Sequence, residues 1–346
     1  MTAKQEGKGL FSGKRILVTG GTGSFGHQIV DRLLAEDPAE IRIFSRDEDK
    51  QMRMSEEYDM GHQYPKWASM NFVIGDVRDT SSVREVMRGI DIVFHAAALK
   101  QVPLCEYHVW QAVQTNILGA QNVILAALEE EVEKVIAVST DKAVKPVNAM
   151  GMTKAIQEKL FTAANFHKVE RGTIFTCVRY GNVVGSRGSV VPLFKRQIES
   201  GGPITITDSR MTRFILTLSE AIDLVFRAAS RAEGGEVFVL KLPAALVVEI
   251  AEVMVESLAP GREIPIHAVG VRPGEKIHEA LISEAEAVRT IDEGTSYAIL
   301  PQIDLQNRSA PHSITDFVGF SEYTSDAAPR LTKKQIKSIL TETHWI

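Results

Sequence analysis

The chain has 346 residues with an ordinary globular composition, 44% hydrophobic and 24% charged, and a formal net charge of -5. This length suits one large domain with a smaller one, and the lack of a basic excess argues against binding of nucleic acid or an anionic membrane. The sequence contains no 18-residue apolar segment, and its N-terminal segment lacks the apolar run of a signal peptide. We therefore expect a cytoplasmic protein with reduced cysteines and no metal site.

Short β-branched runs alternate with helical patterns through the first half of the chain. The first run is RILVT (15–19), and the segment after it, SFGHQIVDRLLAE, has apolar residues at helical spacing. The other strand-like runs are EIRIFSR, MNFVIGD, DIVFHAAA, KVIAVST and TIFTCVRYG. A long helix is predicted over AVQTNILGAQNVILAALEE, before KVIAVST. Strands separated by helices predict an α/β fold, a Rossmann doubly wound parallel sheet.

The alternation ends near residue 185, and this change sets the predicted domain boundaries. Residues 1–12 are interpreted as a flexible N-terminal arm, and residues 13–185 as the dinucleotide-binding Rossmann domain, with part of 210–245 as a candidate addition. Residues 186–346 mix short strands, Pro and Gly with single helices. They are interpreted mainly as a smaller α/β substrate-binding domain with a C-terminal tail.

A glycine-rich turn, VTGGTGSFG (18–26), follows the first strand and opens a helix. Such a turn lets the backbone approach a pyrophosphate, and the helix N-terminus offers free N–H groups and partial positive charge. The turn therefore predicts a dinucleotide site. The residues expected to form it are Gly20, Thr22, Gly23, Ser24, Phe25 and Gly26.

The end of the second strand, FSRDE, bears on the choice of cofactor. An NAD enzyme places an acidic residue at the strand tip, whereas Ser45 and Arg46 occupy it here and suit a 2′-phosphate. NADP is therefore favoured, and Asp47, one residue later, keeps NAD as the alternative. Further cofactor contacts are expected after the third and fourth strands, from Asp76, Val77, Ala96, Ala97 and Ala98.

Polar residues follow the fifth strand, where ligands bind in this architecture. Thr140, Asp141 and Lys142 lie at the strand tip, and Met150 and Lys154 lie four residues apart on one face of the next helix. The alternative for Asp141 and Lys142 is a surface ion pair, but their position beside the nucleotide turn favours a catalytic site.

These segments resemble the extended short-chain dehydrogenases/reductases, and within them the UDP-N-acetylglucosamine 4,6-dehydratases of capsule, O-antigen and flagellin-glycan biosynthesis. The resemblance runs from residue 18 to about residue 280. Its strings are TGGTGSFG, FSRDE, AAALKQVPLCE, STDKAVKPVNAMGMTK, RYGNVVGSRGSVVPLF, ITDSRMTRF and VRPGEKIHE. It implies conversion of UDP-N-acetylglucosamine to a UDP-2-acetamido-2,6-dideoxy-4-hexulose, with NADP taking a hydride from carbon 4 and returning it to carbon 6. Inversion at carbon 5 stays open.

The resemblance also implies roles for single residues. Lys142 would be the base at carbon 5 and Asp141 the acid at carbon 6, while Thr140 would bind the carbon-4 oxygen and Lys154 the nicotinamide ribose. Many family members have Tyr where this chain has Met150, although some capsule-type members have Met. A thioether cannot pass a proton, so either the carbon-4 proton takes another route or the oxidation is impaired.

Several residues are expected to contact the UDP-sugar, with plain surface exposure as the alternative for each cation. They are Lys100, Asn182, Arg187, Lys195, Arg213, Arg272 and Glu275. The helical stretch 109–130 is expected to form the interface of a homo-oligomer, a dimer or higher. Two other functions stay open, a UDP-sugar epimerase and a non-catalytic NADP-binding regulatory module. The Asp141–Lys142 pair argues against the module, because a sensor has no use for an elimination pair.

Overall fold

The structure is a computed structural model that describes residues 9–60, 69–167, 172–186, 188–302 and 317–346. Most of the predicted N-terminal arm, residues 1–8, and one predicted substrate contact, Arg187, lie outside the described residues.

The strands of the described residues are numbered in chain order. They are β1 (Arg15–Thr19), β2 (Glu40–Ser45), β3 (Met70–Ile74), β4 (Ile92–His95), β5 (Lys134–Val138), β6 (Ile174–Arg179), β7 (Asn182–Val183), β8 (Ile204–Ile206), β9 (Thr212–Leu216), β10 (Val237–Leu240), β11 (Ala244–Leu246), β12 (Ile266–Ala268), β13 (Ala280–Ile282), β14 (Thr290–Asp292), β15 (Ser296–Ile299) and β16 (Tyr323–Thr324).

The helices of the described residues are numbered in the same way. They are α1 (Ser24–Leu34), α2 (Glu48–Met60), α3 (Thr80–Met87), α4 (Val102–Tyr107), α5 (Val109–Ala112), α6 (Gly119–Glu129), α7 (Ala149–Ala164), α8 (Val190–Glu199), α9 (Leu218–Arg231), α10 (Val247–Leu258), α11 (Glu284–Ala287) and α12 (Lys333–Glu342). A π-helical segment, Val113–Leu118, joins α5 to α6.

The main sheet has nine strands in the order β14-β15-β10-β6-β5-β4-β1-β2-β3. Within this sheet, each neighbouring pair in the run β10-β6-β5-β4-β1-β2-β3 is parallel. At the other end, β15 pairs antiparallel with β10, and β14 pairs antiparallel with β15. Strand order reverses between β1 and β4, where Thr19 pairs with His95, and ligands bind at such a switch point. Ile16, Leu17 and Val18 of β1 are fully buried, as expected for a parallel strand covered on both faces. The predicted α/β fold with a doubly wound sheet is confirmed.

Two features differ from the sequence-based interpretation. Phe11, assigned to the flexible arm, is fully buried, and its ring lies 4.6 Å from that of Phe226 and 5.9 Å from that of Phe94. The chain is therefore anchored before residue 12, because burying an aromatic ring outweighs the entropy of fixing a short segment. In addition, β14 and β15, from the region assigned mainly to substrate binding, extend the main sheet beyond β10.

The smaller C-terminal region has its own apolar core. Phe194 of α8, Ile250 and Met254 of α10, and Ile336 and Leu340 of α12 belong to this cluster. Three small sheets accompany it, β11-β9-β7, β12-β8 and β13-β16. A cavity of about 880 Å³ separates this region from the carboxyl ends of the central strands. That volume suits a bound small molecule or cofactor.

Candidate active site

The glycine-rich turn forms one end of the cavity. Gly20 has φ +69°, and a Cβ atom there would lie 2.8 Å from the backbone nitrogen of Ala97, so only glycine allows the turns after β1 and β4 to meet. The N-cap of α1 is Gly23, which makes no side-chain cap. Its first N–H groups therefore remain available to an anion. The predicted residues of this turn that line the cavity are Gly20, Thr22, Gly23, Ser24 and Phe25.

Gly26 has a different role, because it is not among the lining residues. A Cβ atom at Gly26 would overlap the carbonyl of Gly21. Gly26 therefore allows α1 to pack closely on the turn, as the third glycine of such motifs does.

The end of β2 and the start of α2 present a hydroxyl and two cations to the cavity. Ser45 is buried, and its Oγ lies 3.2 Å from both Thr22 Oγ1 and Gln51 Nε2. Arg46 is exposed and lies 3.7 Å from Asp76. Asp47, the residue that kept NAD as the alternative, is engaged by the backbone N–H and the ammonium of Lys50. These hydrogen bonds lower the pKa of Asp47. Lys50 also lines the cavity, and the sequence reasoning missed it.

The turns after β3 and β4 line the same end. Asp76 and Val77 lie along it, and Arg78 donates to Asp76 at 2.6 Å. The predicted residues Ala96, Ala97 and Ala98 line the cavity as well. The segment after Ala98 is held by Asn116, whose amide accepts from Leu99 N–H at 2.8 Å and donates to Leu99 C=O at 3.0 Å. Asn116 lies in the π-helical segment, a distortion frequent at functional sites. Its role was not predicted from the sequence.

The tip of β5 carries the predicted acid–base pair. Lys142 donates to Asp141 Oδ1 at 3.0 Å, and Thr140 Oγ1 donates to the same oxygen at 2.8 Å. Thr140 and Lys142 line the cavity, whereas Asp141 is fully buried behind them. The other oxygen, Asp141 Oδ2, has no hydrogen-bond partner among the described residues. A molecule in the cavity would therefore contact Thr140 and Lys142 directly, and would reach Asp141 only through hydrogen bonds of these two residues.

Two opposing effects act on Lys142. Burial lowers the pKa of its ammonium, but attraction to Asp141 and Glu279 outweighs burial and holds the pKa above its ordinary value. Sequence reasoning could not decide between burial and attraction. Attraction to the two carboxylates prevails in the structure, so Lys142 is an ammonium at neutral pH.

Helix α7 places two further predicted residues beside this pair. Met150 and Lys154 both line the cavity. Met150 is 3% exposed and belongs to a small apolar cluster with Cys105 and Ala112. Lys154 donates to the carbonyl of Val138 at 2.6 Å and to Gln157 Oε1 at 2.7 Å. Burial lowers the pKa of Lys154 to about 8.

The predicted substrate contacts do not all meet at the cavity. Those that line it are Lys100, Asn182, Arg213, Arg272 and Glu275. Asn182 Oδ1 is buried without a hydrogen-bond partner among the described residues, so it is available to a ligand. The guanidinium of Arg213 donates to three carbonyls, of Thr212, Lys276 and Ile277. Arg213 thus fastens the 276–277 segment to β9, besides presenting charge to the cavity.

Lys195 was predicted to bind the substrate, but the structure does not bring it to the cavity. Its ammonium lies 5.7 Å from the ring centroid of Trp345, a cation–π contact with the C-terminus. On α8 the neighbouring Phe194 faces inward and is 1% exposed. Successive helical residues point in different directions, so Lys195 faces away.

Comparison with known proteins identifies the family. The family model described as polysaccharide biosynthesis protein matches residues 16–301. The chain belongs to this family. A UDP-glucose 4-epimerase of Rickettsia akari is 42% identical over 348 residues, covering 97% of this chain and 98% of the relative.

Solved structures share the fold. Pen from Bacillus thuringiensis superimposes with a TM-score of 0.85 at 38% identity, over 96% of this chain and 99% of that chain. A dTDP-glucose 4,6-dehydratase from Streptomyces venezuelae with NAD bound has a TM-score of 0.66 at 22% identity, over 76% of this chain and 86% of that one. The chain thus has the Rossmann fold found in nucleotide-sugar epimerases and dehydratases. Within the described residues, no helix is long and apolar enough to cross a membrane.

Proposed function

We propose that the chain is an NADP-dependent 4,6-dehydratase of UDP-N-acetylglucosamine. The observation that carries this proposal is the ion pair between buried Asp141 and half-buried Lys142 at the tip of a central strand, beside a cavity that begins at a nucleotide-binding turn. Removal of water from a sugar requires both a base and an acid. Lys142 and Asp141 lie 3.0 Å apart and supply one of each.

NADP is the proposed cofactor because the site offers positively charged side chains as well as the backbone N–H groups of the glycine-rich turn. The turn at Gly20 and Gly23 fits a pyrophosphate, and Ser45, Arg46 and Lys50 line the cavity where a ribose 2′-phosphate would need partners. Lys154, which is buried at the same cavity, would hold the nicotinamide ribose. When bound, this cofactor supplies the oxidation at carbon 4 and the reduction at carbon 6.

The oxidation requires a route for the proton of the carbon-4 hydroxyl. Met150 cannot accept it, because a thioether sulfur holds no proton at neutral pH. Thr140 Oγ1 lines the cavity and donates to Asp141 Oδ1 at 2.8 Å. We assign this pair as the route that replaces Tyr, with the proton passing through the Thr140 hydroxyl to the Asp141 carboxylate.

The elimination then uses both charged residues. Lys142, whose side chain is 22% exposed, first loses its proton to solvent, since closure over a substrate favours the neutral amine. The amine removes the proton on carbon 5, the electron pair of that C–H bond forms a double bond to carbon 6, and the C6–O bond breaks. Asp141 supplies the proton with which the hydroxyl leaves as water, through Thr140. The ammonium of Lys142 exchanges its hydrogens with solvent and finally delivers a proton to carbon 5.

An epimerase is the second candidate, favoured by the name of the Rickettsia akari relative. Epimerisation at carbon 4 needs neither a base at carbon 5 nor an acid for a leaving hydroxyl, so Lys142 would have no role as a base in that reaction. Incubation with UDP-N-acetylglucosamine in heavy water separates the two functions. We expect a new methyl signal at carbon 6 and deuterium at carbon 5 by NMR, both lost in Lys142→Met. Formation of a UDP-hexosamine inverted at carbon 4, without a methyl signal, would establish the epimerase instead.

A homo-oligomer is part of the proposal. Exposed apolar side chains occur on α4, α5 and α7, helices that contact one another. They are Leu104, Tyr107, Val109, Trp110, Met152 and Ile156. Contiguous exposed apolar surface of this kind marks interaction sites. We assign this surface, which overlaps the predicted stretch 109–130, to contact with a second copy of the chain.

A further inference from the structure

A second carboxylate, Glu279, faces Lys142 from the C-terminal region. Glu279 immediately precedes β13, is 2% exposed and lines the cavity. Its Oε1 lies 3.6 Å from Lys142 Nζ. A glutamate is rarely buried to this extent unless it is paired. The proposed mechanism gives Glu279 no role, and the sequence reasoning did not select it.

The side chain of Glu279 contacts its neighbouring cations at ion-pair distances rather than through close hydrogen bonds. Its Oε1 lies 3.9 Å from Arg213 Nε, and its Oε2 lies 3.9 Å from Lys276 Nζ. The Oε2 atom is buried and has no hydrogen-bond partner among the described residues. Burying a carboxylate with an unpaired oxygen is costly. The nearby cations offset this cost, and Lys142 is the nearest of them.

The backbone of Glu279 is fixed on both sides. Its N–H donates to Ser325 Oγ at 2.9 Å, and its carbonyl accepts from Ser325 N–H at 2.8 Å. Ser325 is fully buried and its Oγ lies 2.6 Å from Thr212 Oγ1. A side chain on such a fixed backbone is preorganised, so Glu279 presents its charge at a defined place.

We propose that Glu279 is a positioning residue for Lys142, which holds the lysine side chain towards the cavity and stabilises its ammonium form. This inference rests on the proposed function, in which Lys142 gains a positive charge as it removes the proton on carbon 5. A fixed carboxylate near a charge that develops in the transition state lowers the barrier. Asp141 cannot serve alone, because it gives up its own negative charge while it carries the proton for the leaving hydroxyl.

The charged groups that face Lys142 are Asp141 on its own turn, Glu279, Arg213 on β9, and Lys276. The two carboxylates favour the ammonium form of Lys142, whereas the positive charges of Arg213 and Lys276 disfavour it. Removing the charge of Glu279 leaves Asp141 alone against these two cations. The acid constant of Lys142 should then rise by about tenfold, which corresponds to about one pH unit.

The test measures the protonation of Lys142 directly. Full-length wild-type protein, Glu279→Gln and Glu279→Asp are trace-labelled with acetic anhydride at a series of pH values, and acetylation at Lys142 is quantified by mass spectrometry. We expect the labelling midpoint to fall by about one pH unit in Glu279→Gln, and by less in Glu279→Asp, which keeps the charge. The matched control is Glu284→Gln, which removes an exposed carboxylate that is paired with Lys145. In this variant the labelling midpoint of Lys142 should equal that of the wild type.

An unchanged midpoint in folded Glu279→Gln would overturn the proposal. If the glutamine variant does not fold, the aspartate variant decides, since retracting the carboxylate by one methylene must also lower the midpoint. This readout needs no turnover. The proposal about Glu279 can therefore fail while the enzyme still makes a 6-deoxy product. It can also hold if the enzyme proves to be an epimerase.

Discussion

Gly151 of α7 packs directly against the carbonyl oxygen of Lys142, so closely that a Cβ atom at this position would overlap it. Asn148, the N-cap of the helix, accepts a hydrogen bond from Gly151 N–H at 2.7 Å. The start of α7 and the turn that carries the proposed base therefore form one packed unit. Any side chain at position 151 has to move one of them.

Gly151→Ala should thus impair catalysis. Overpacking at this contact should reduce the free energy of unfolding by about 1–3 kcal/mol. Displacement of Lys142 should lower turnover by about 10- to 100-fold. Ala163→Gly is the control, since it costs about 1 kcal/mol on the same helix at an exposed position. Chemical denaturation and product assays of both variants separate displacement from instability, and equal turnover in the two would contradict the expectation.

Met150→Tyr should bring no gain in turnover. The Met150 side chain is 3% exposed and packed with Cys105 and Ala112, so a larger ring should cost about 1–3 kcal/mol. The proposed route for the carbon-4 proton, through Thr140, does not need a phenol. Met150→Phe, of similar size without the hydroxyl, controls for packing. A turnover well above that of both the wild type and the Phe variant would mean that the missing phenol limits the natural enzyme.

Arg46→Ala should weaken NADP more than NAD. Arg46 is exposed at the cavity, so the loss should be about tenfold in dissociation constant, or about 1.4 kcal/mol, whereas NAD has no 2′-phosphate to lose. Calorimetric titration of the cofactor-free protein measures both constants. Arg53→Ala serves as the control, because this arginine is exposed on α2 and pairs with Asp49. Equal weakening of both cofactors would remove the argument for NADP.

His95 should make the protein sensitive to acid. Burial lowers the pKa of His95 to about 3, from an ordinary value of 6.5. Between these values the unfolded chain binds a proton that the folded chain does not. Stability therefore falls as the pH drops from 6.5 towards 3, by about 1.4 kcal/mol per pH unit.

His95→Gln should remove this contribution. Urea denaturation between pH 7 and pH 4 (roughly the accessible part of that window) would show a shallower pH dependence than in the wild type. His267→Gln, at an exposed histidine on β12, should retain the wild-type dependence. If His95→Gln and the wild type lose stability in parallel, His95 does not contribute.

Trp110→Glu should dissociate the proposed oligomer. Trp110 is 62% exposed, beside Tyr107, which is 84% exposed. Burying a glutamate at an apolar interface without a partner costs several kcal/mol, so light scattering should report a monomer at micromolar concentration. Val288→Glu is the control, because Val288 is 76% exposed just after α11 and lies outside both the assigned surface and the stretch 109–130. A wild-type protein that is already monomeric would refute the assignment.

The sequence by itself determined the nucleotide half of this protein. The glycine turn, the polar tip of β2 and the Thr140–Lys142 segment each follow a buried strand directly. Parallel strands bring their carboxyl ends to one edge of the sheet, so neighbouring tips in the fold can be predicted from short segments. Helical spacing likewise predicted that Met150 and Lys154 lie side by side, because they are four residues apart on one helix.

Only the tertiary structure decided what surrounds those tips. Glu279 reaches Lys142 because β13 is anchored through Ser325 of the C-terminal region, and Lys195 faces Trp345 because α8 buries its other side. The sheet gains β14 and β15 by antiparallel pairing from beyond the recognised motifs. Such contacts join residues far apart along the chain. They depend on packing and charge compensation over the whole fold, which no local pattern of residue types encodes.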